Sequence, residues 1–138
     1  MAAIVVGYDA SPGAAAALDH AIELAVHLGD RLVIGFGVAP PGLVGEEARE
    51  HKRAVREQAA SLTESAMTRA LEAGLQAEVE LVDERPANAL VFLADRHDAR
   101  MIVVGTYGES PIKGAILGST PHKLLHLAER PVLVVPAK

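Results

Sequence analysis

The 138-residue chain predicts an α/β protein, an open doubly wound sheet of parallel strands with helices on both faces, and three features carry that expectation. Five short apolar runs rich in Val, Ile and Leu are spread along it. Between them lie segments with Ala and Leu at three- and four-residue spacing, the mark of amphipathic helices. The order β-α-β-α-β-α-β-α-β leaves crossovers long enough for parallel, right-handed connections. No internal repeat, low-complexity segment or linker interrupts it, so residues 1–138 read as one domain.

Taken in order, Ala3 to Tyr8 (AIVVGY) is a continuous apolar strand of the kind covered on both faces. It stops at Asp9-Ala10-Ser11-Pro12, where Ser11 suits an N-cap and Pro12 the first helical position. Ala14, Leu18, Ala21, Ile22, Ala25 and Leu28 mark one face of the first helix, which Gly29 closes. Arg31 to Val38 is a second strand, and Ala39 to Gly45 a Pro- and Gly-rich loop or lid. A long amphipathic helix follows from Glu46 to Ala73, with Ala48, Val55, Ala59, Leu62, Ala66 and Ala70 inward and Gly74 at its end. Its charges read as a solvated face. Gln76 to Val82 alternates, as a half-exposed strand near a sheet edge does. Pro86 opens a third helix with Ala89, Leu90, Leu93 and Ala94 inward. Arg100 to Val104 is the fourth strand, Pro121 to Ala128 a short helix, and Pro131 to Pro136 (PVLVVP) the fifth strand.

Composition removes several function classes. A formal charge of -5, with no basic stripe to replace counterions, argues against nucleic acid as a partner. Without cysteine there is neither a disulfide framework nor thiolate chemistry. The start runs straight into a strand, unlike a signal peptide, and no apolar run has the length of a membrane span. The expectation is a cytoplasmic protein with no membrane partner.

The stretch from Val104 to Thr120 is the chemically informative one. It holds glycines at 105, 108, 114 and 118 and ends in Ser119 and Thr120, between a buried strand and a helix. Glycines let the backbone turn tightly and let a ligand approach it, and successive amides in such a turn form an anion-binding concavity. The following helix adds unpaired N–H groups and the positive end of its dipole. The pattern points to a phosphate cradle, with Ser119 and Thr120 serving as phosphate ligands, as the helix N-cap, or as both. In doubly wound sheets ligands sit beyond the carboxyl ends of the strands where the winding reverses. If the first and fourth strands are neighbours there, Asp9 faces the glycine loop across one crevice, ready for ribose hydroxyls or an amino group. Lys113 is the single cation within the loop.

The spacing Gly105-x2-Gly108-x9-Gly118-Ser119 resembles the ATP-binding motif of the universal stress protein family, G-x2-G-x9-G-[S/T]. The likeness covers the whole chain, from the opening strand ending at Asp9-Ala10-Ser11, through Val38 at the end of the second strand, to the Pro-Val-Leu-Val-Val-Pro close. It implies a flavodoxin-like, Rossmann-like sheet of the adenine nucleotide alpha hydrolase type, with strand order 3-2-1-4-5. It also implies a homodimer through the last strand, Val132 to Val135, and adenine-nucleotide binding. Position by position, it implies that Gly7 and Asp9 line the adenosine end and that Val38 presents its backbone to adenine. Val104 and Gly105 would touch the ribose, and Gly108, Gly118, Ser119 and Thr120 would hold phosphates. Tyr107 stands where many members carry His or Arg, so AMP or cyclic AMP ranks beside ATP as the ligand, with or without Mg²⁺. In that order the last strand lies at an edge, where an apolar strand invites antiparallel pairing with a second copy.

Other motifs fail. No glycine pair has the Walker A spacing to Lys and a hydroxyl, and no G-x-S-x-G elbow exists. His122 and His126, four apart, lack an acidic third ligand nearby in sequence, so no metal site is expected. No catalytic residue stands out. The function expected is a nucleotide-binding regulatory protein of the stress response. The alternatives are a slow Mg²⁺-dependent ATPase and a nucleotide-free dimeric interaction module.

Overall fold

The computed structural model describes residues 1–9, 12–38, 44–106 and 117–137, apart from the Val55 side chain. The elements are β1 (Ala3–Gly7), α1 (Pro12–Leu28), β2 (Arg31–Gly37), α2 (Gly45–Glu72), β3 (Ala77–Val82), α3 (Pro86–Arg96), β4 (Met101–Gly105), α4 (Ser119–Leu127) and β5 (Val132–Val135). The five strands pair in parallel in the order β3-β2-β1-β4-β5, as expected. The Ser11 cap, the lid at 39–43 and the loop positions Tyr107, Gly108 and Lys113 fall outside the described residues.

Alternation along each strand divides the core into two layers. Ile4, Val6, Leu32, Ile34, Val103 and Val135 face α1 and α2, meeting Leu18, Ala21, Ala66 and Ala70. Ala3, Val5, Val33, Ile102 and Val104 face the other way, onto Leu90, Leu93 and Leu124 of α3 and α4. The helices contribute mostly alanine, so they approach the sheet closely. The closest approach is between backbones. A Cβ built on Gly105, the last residue of β4, would lie 2.6 Å from the carbonyl carbon of Gly13 in the first turn of α1. Glycine at 105 is thus required by helix–strand packing.

Helix α1 ends with Gly29 at φ +70°, and the Asp30 amide reaches back to the Ala25 carbonyl at 3.0 Å, a Schellman-type stop. The Asp30 side chain is buried at the amino end of the sheet. Arg100 grips it with two bonds, Nε to Oδ2 at 2.6 Å and Nη2 to Oδ1 at 3.1 Å. These hydrogen bonds from Arg100 hold the Asp30 carboxyl below its ordinary range, against the opposing effect of burial. Nearby, Arg130 donates to the Ala99 carbonyl at 2.7 Å and to Asp98 at 3.2 Å, tying the approach to β5 onto the α3–β4 turn.

Several boundaries differ from the sequence reading. Helix α4 starts at Ser119, two residues before Pro121, because a proline in the first helical turn has no amide that the helix needs. Leu28 is exposed, since it sits in the last turn of α1 beyond the reach of the core. Helix α2 buries Ala59, Ala66 and Ala70 together with Thr63, whose hydroxyl returns to the Ala59 carbonyl. No described residue between Gly45 and Gln58 is buried. That exposed half also corrects the expectation of no basic stripe: Arg49, Lys52, Arg53 and Arg56 fall at i, i+3, i+4 and i+7 of one helix. Among the described residues, no helix is long and apolar enough to cross a membrane.

Two consequences are measurable. Gly105→Ala should lower the unfolding free energy by about 2–3 kcal/mol, because the added methyl meets backbone that cannot yield. Gly29→Ala, with open space around it, should cost only about 1 kcal/mol, for the left-handed backbone alone. Urea denaturation of both variants checks the ranking.

The second consequence concerns acid. A carboxyl held low in the folded state contributes stability that is present above its unfolded pKa of about 3.9 and lost as pH falls through the lower folded value. The melting temperature should therefore drop below about pH 4 in the natural chain, and Asp30→Asn should flatten that portion of the profile while lowering stability at pH 7.

Candidate functional site

The winding of the sheet creates the site. From β1 the chain proceeds through β2 to β3 on one side, then returns to place β4 and β5 on the other. At the β1/β4 junction, α1 leaves toward one face and α4 toward the opposite face. In sheets wound this way the ligand crevice lies beyond the carboxyl ends of the two strands where the direction reverses, here β1 and β4.

On the β1 side, Tyr8 continues the ladder by donating its amide to the Gly35 carbonyl at 3.1 Å, and Asp9 follows it, half-buried at the mouth. Gly7 has its backbone at the same end, but a Cβ there would lie 2.8 Å from Leu90 Cδ1, so this glycine also accommodates α3. Val38 extends β2 by donating to the Val82 carbonyl at 2.9 Å, and its side chain is buried.

On the β4 side, Val104 buries its side chain in the α3/α4 layer, and Gly105 lies against Gly13. Thr106 then fixes the corner. Its amide and its hydroxyl both donate to the Val135 carbonyl, at 3.0 and 3.2 Å, and its own carbonyl accepts the Gly118 amide at 2.6 Å. That last bond docks the start of α4 on the end of β4. Gly118 is the N-cap, in extended conformation and without a side-chain capping bond, so neither Ser119 nor Thr120 is the cap. They are the first two helical residues, Ser119 exposed and Thr120 half-buried. The first helical bond runs from the His122 amide to the Gly118 carbonyl at 3.2 Å. The amides of Ser119 and Thr120 therefore precede the helical ladder and point out of its positive end.

The fold thus brings Gly7, Asp9, Val38, Val104, Gly105, Gly118, Ser119 and Thr120 to one end of the sheet; Gly108 lies outside the described residues. Along the described segments 7–9, 104–106 and 117–120, Asp9 is the one charged side chain. An arrangement of amides and hydroxyls with a single carboxylate suits recognition of phosphate and sugar groups. It offers no paired acid and base for bond cleavage within those segments.

Two residues of this corner escape a sequence reading. Thr106 looks like one more loop hydroxyl until β5 is placed beside β4. Gly13 follows Pro12 where any helix former would serve, and that oddity is its one signal. A second polar cluster was equally hidden, at the amino end of the sheet on the β3 edge. Glu78 and Glu80, two apart on β3, meet Arg31 of β2 and the Arg96–His97 end of α3. Glu78, Glu80 and His97 have the donor types of a metal site, with ligand atoms within 4.8 Å of one another. The cation position is already filled: Arg31 Nη1 lies 3.0 Å from His97 Nδ1 and 3.3 Å from Glu78, and Arg96 lies 3.6 Å from Glu80. The cluster is a closed ionic network that charges an otherwise bare sheet edge. His122 and His126 stack edge to face with ring centroids 5.3 Å apart, exposed on α4.

Comparison with known proteins agrees with this architecture. The profile of the Universal stress protein family matches residues 1–136. Universal stress protein YxiE of Bacillus subtilis is 31% identical over 147 aligned positions, spanning 96% of this chain and 97% of the relative. Among solved structures, MJ0577 superposes with a TM-score of 0.89 at 23% identity, covering 99% of this chain and 96% of its own. A universal stress protein in complex with cAMP superposes with a TM-score of 0.77 at 30% identity, covering 99% and 98%.

Proposed function

Because the chain belongs to the universal stress protein family, we propose that it binds an adenine nucleotide in the crevice between β1 and β4 and acts as a non-catalytic regulator in the cytoplasmic stress response. The observation that carries this reading is the first turn of α4, which has no side-chain cap among the described residues and is held against the end of β4 by the Gly118–Thr106 bond. The amides and hydroxyls of Ser119 and Thr120 thus lie beside the strand end where the sheet changes direction. The relative solved with cAMP, at 30% identity over nearly the whole chain, supports an adenine ligand.

In this reading Asp9 accepts hydrogen bonds from the ribose or from an amino group. The Val38 carbonyl and the backbone at Gly7 border the base, in an aliphatic slot without tryptophan. Val104 and Gly105 border the sugar, and Gly108, Gly118, Ser119 and Thr120 hold the phosphates. Each amide–anion contact at an exposed helix end contributes only about 0.3–1 kcal/mol, so affinity rests on the base and the phosphates together. ATP, AMP and cyclic AMP all carry that pair of groups, and Mg²⁺ would accompany the ligand with a free polyphosphate tail. A second copy completes the protein. Strand β5 lies at the edge of the sheet, and Leu133 is 37% exposed beside the half-buried Val132 and Val134. Antiparallel pairing of two such strands would satisfy their free backbone groups and cover that side chain.

Isothermal titration with ATP, AMP and cyclic AMP should give saturable binding for at least one. Asp9→Ala should weaken it by about tenfold or more, the loss of a charged hydrogen bond, and Gly118→Val should remove it with the melting temperature little changed. Silence with all three nucleotides would reject the reading. Light scattering behind a sizing column should give twice the 14.4 kDa chain mass at micromolar concentration, and Leu133→Glu should halve it.

A further inference from the structure

We propose that the exposed amino-terminal half of α2 is a separate binding site for a chain of linked phosphates, read by Arg49, Lys52, Arg53 and Arg56. The four cations and Glu57 line a shallow, open surface depression on one side of the helix.

The sequence places these cations at a cost. Arg49 neighbours Lys52 and Arg53 on the helix surface, and Arg56 neighbours the same two, so like charges meet at i,i+3 and i,i+4. Glu46 lies three residues before Arg49, Glu50 three before Arg53 and Glu57 four after it, so acidic neighbours offset part of that repulsion. A bound anion would offset the remainder. Lys52 has a partner in Asp83 at 2.9 Å, just past β3, whereas Arg49, Arg53 and Arg56 make no ion pair among the described residues. Among the described side chains of this half of the helix none is fully buried before Ala59. Arg49, Arg53 and Arg56 are exposed and Lys52 is half-buried against Asp83, near the carboxyl end of β3.

Phosphate is favoured over carboxylate by the preponderance of arginine, whose planar fork engages two phosphate oxygens at once. The stripe spans eight residues, about 10 Å along the helix axis, so a run of phosphates can meet the cations in succession. The phosphate chain can come from inorganic polyphosphate or from the tail of a nucleotide, and the two share the chemistry proposed.

The test is calorimetric titration of the full chain with inorganic tripolyphosphate, ATP and hexaglutamate at low salt. Tripolyphosphate should bind, more weakly as salt rises, and Arg49→Gln/Arg53→Gln/Arg56→Gln should weaken it by about tenfold or more. The same triple variant should keep the wild-type response to cyclic AMP, which has no phosphate chain, and should melt no lower than wild type, since repulsion has been relieved. Longer polyphosphate binding more tightly than ATP supports the inorganic source, and a second ATP site lost in the triple variant supports the nucleotide. The proposal is overturned if the triple variant binds tripolyphosphate like wild type, if Gly118→Val alone abolishes that binding, or if hexaglutamate binds as tightly.

Discussion

Between Gly105 and Gly13 there is no room for even one carbon atom beyond the backbones, and this contact decides how the mouth of the sheet is built. It seats the first turn of α1 directly on the last residue of β4, although the two are ninety-two positions apart in the chain. Asp9 lies in the short connection that must span from β1 to that seat. Backbone contact thus contributes to its position at the mouth. Thr106 extends the same logic to the neighbouring strand, fixing β5 with two bonds and α4 with a third.

The two ends of the sheet are held by different chemistry. At the amino end, side chains do the tying: Arg100 on Asp30, Arg130 on the α3–β4 turn, and the Arg31–Glu78–His97–Glu80 network on the β3 edge. At the carboxyl end, the described contacts around β1 and β4 lean on the backbone, with glycine where helices come close and the Thr106 hydroxyl adding a side-chain bond. Along the described segments 7–9, 104–106 and 117–120 this leaves many polar main-chain groups and one charged side chain, Asp9. A pocket of that kind can recognise a neutral sugar and base while meeting phosphate with amides.

Much of this was legible in the chain. Alternation and its absence separate the edge-like β3 from the central strands, and crossover length alone forces parallel pairing. The strand order needed more, since nothing in the residues of β4 says that it sits beside β1; the family likeness supplied it. The glycine spacing from 105 to 118 marks the stretch proposed to meet the ligand, and the structure adds a packing reason for Gly105. Its hydrogen faces Gly13, a contact between distant segments that no local pattern encodes. The start of α4 was misplaced for a related reason. Pro121 is a strong helix-start signal, yet a proline is equally at home one turn into a helix, and the Gly118–Thr106 bond settled which applied. The basic residues of α2 were visible as letters all along. Only the structure showed that Arg49, Arg53 and Arg56 are exposed while Lys52 reaches Asp83.

That stripe sits among an equal number of opposite charges. Residues 45–58 of α2 carry Arg49, Lys52, Arg53 and Arg56 together with Glu46, Glu47, Glu50 and Glu57, so the segment has no net charge of its own. An anion would therefore be met at short range by the arrangement of individual guanidinium groups, and not drawn in from a distance by a net positive field.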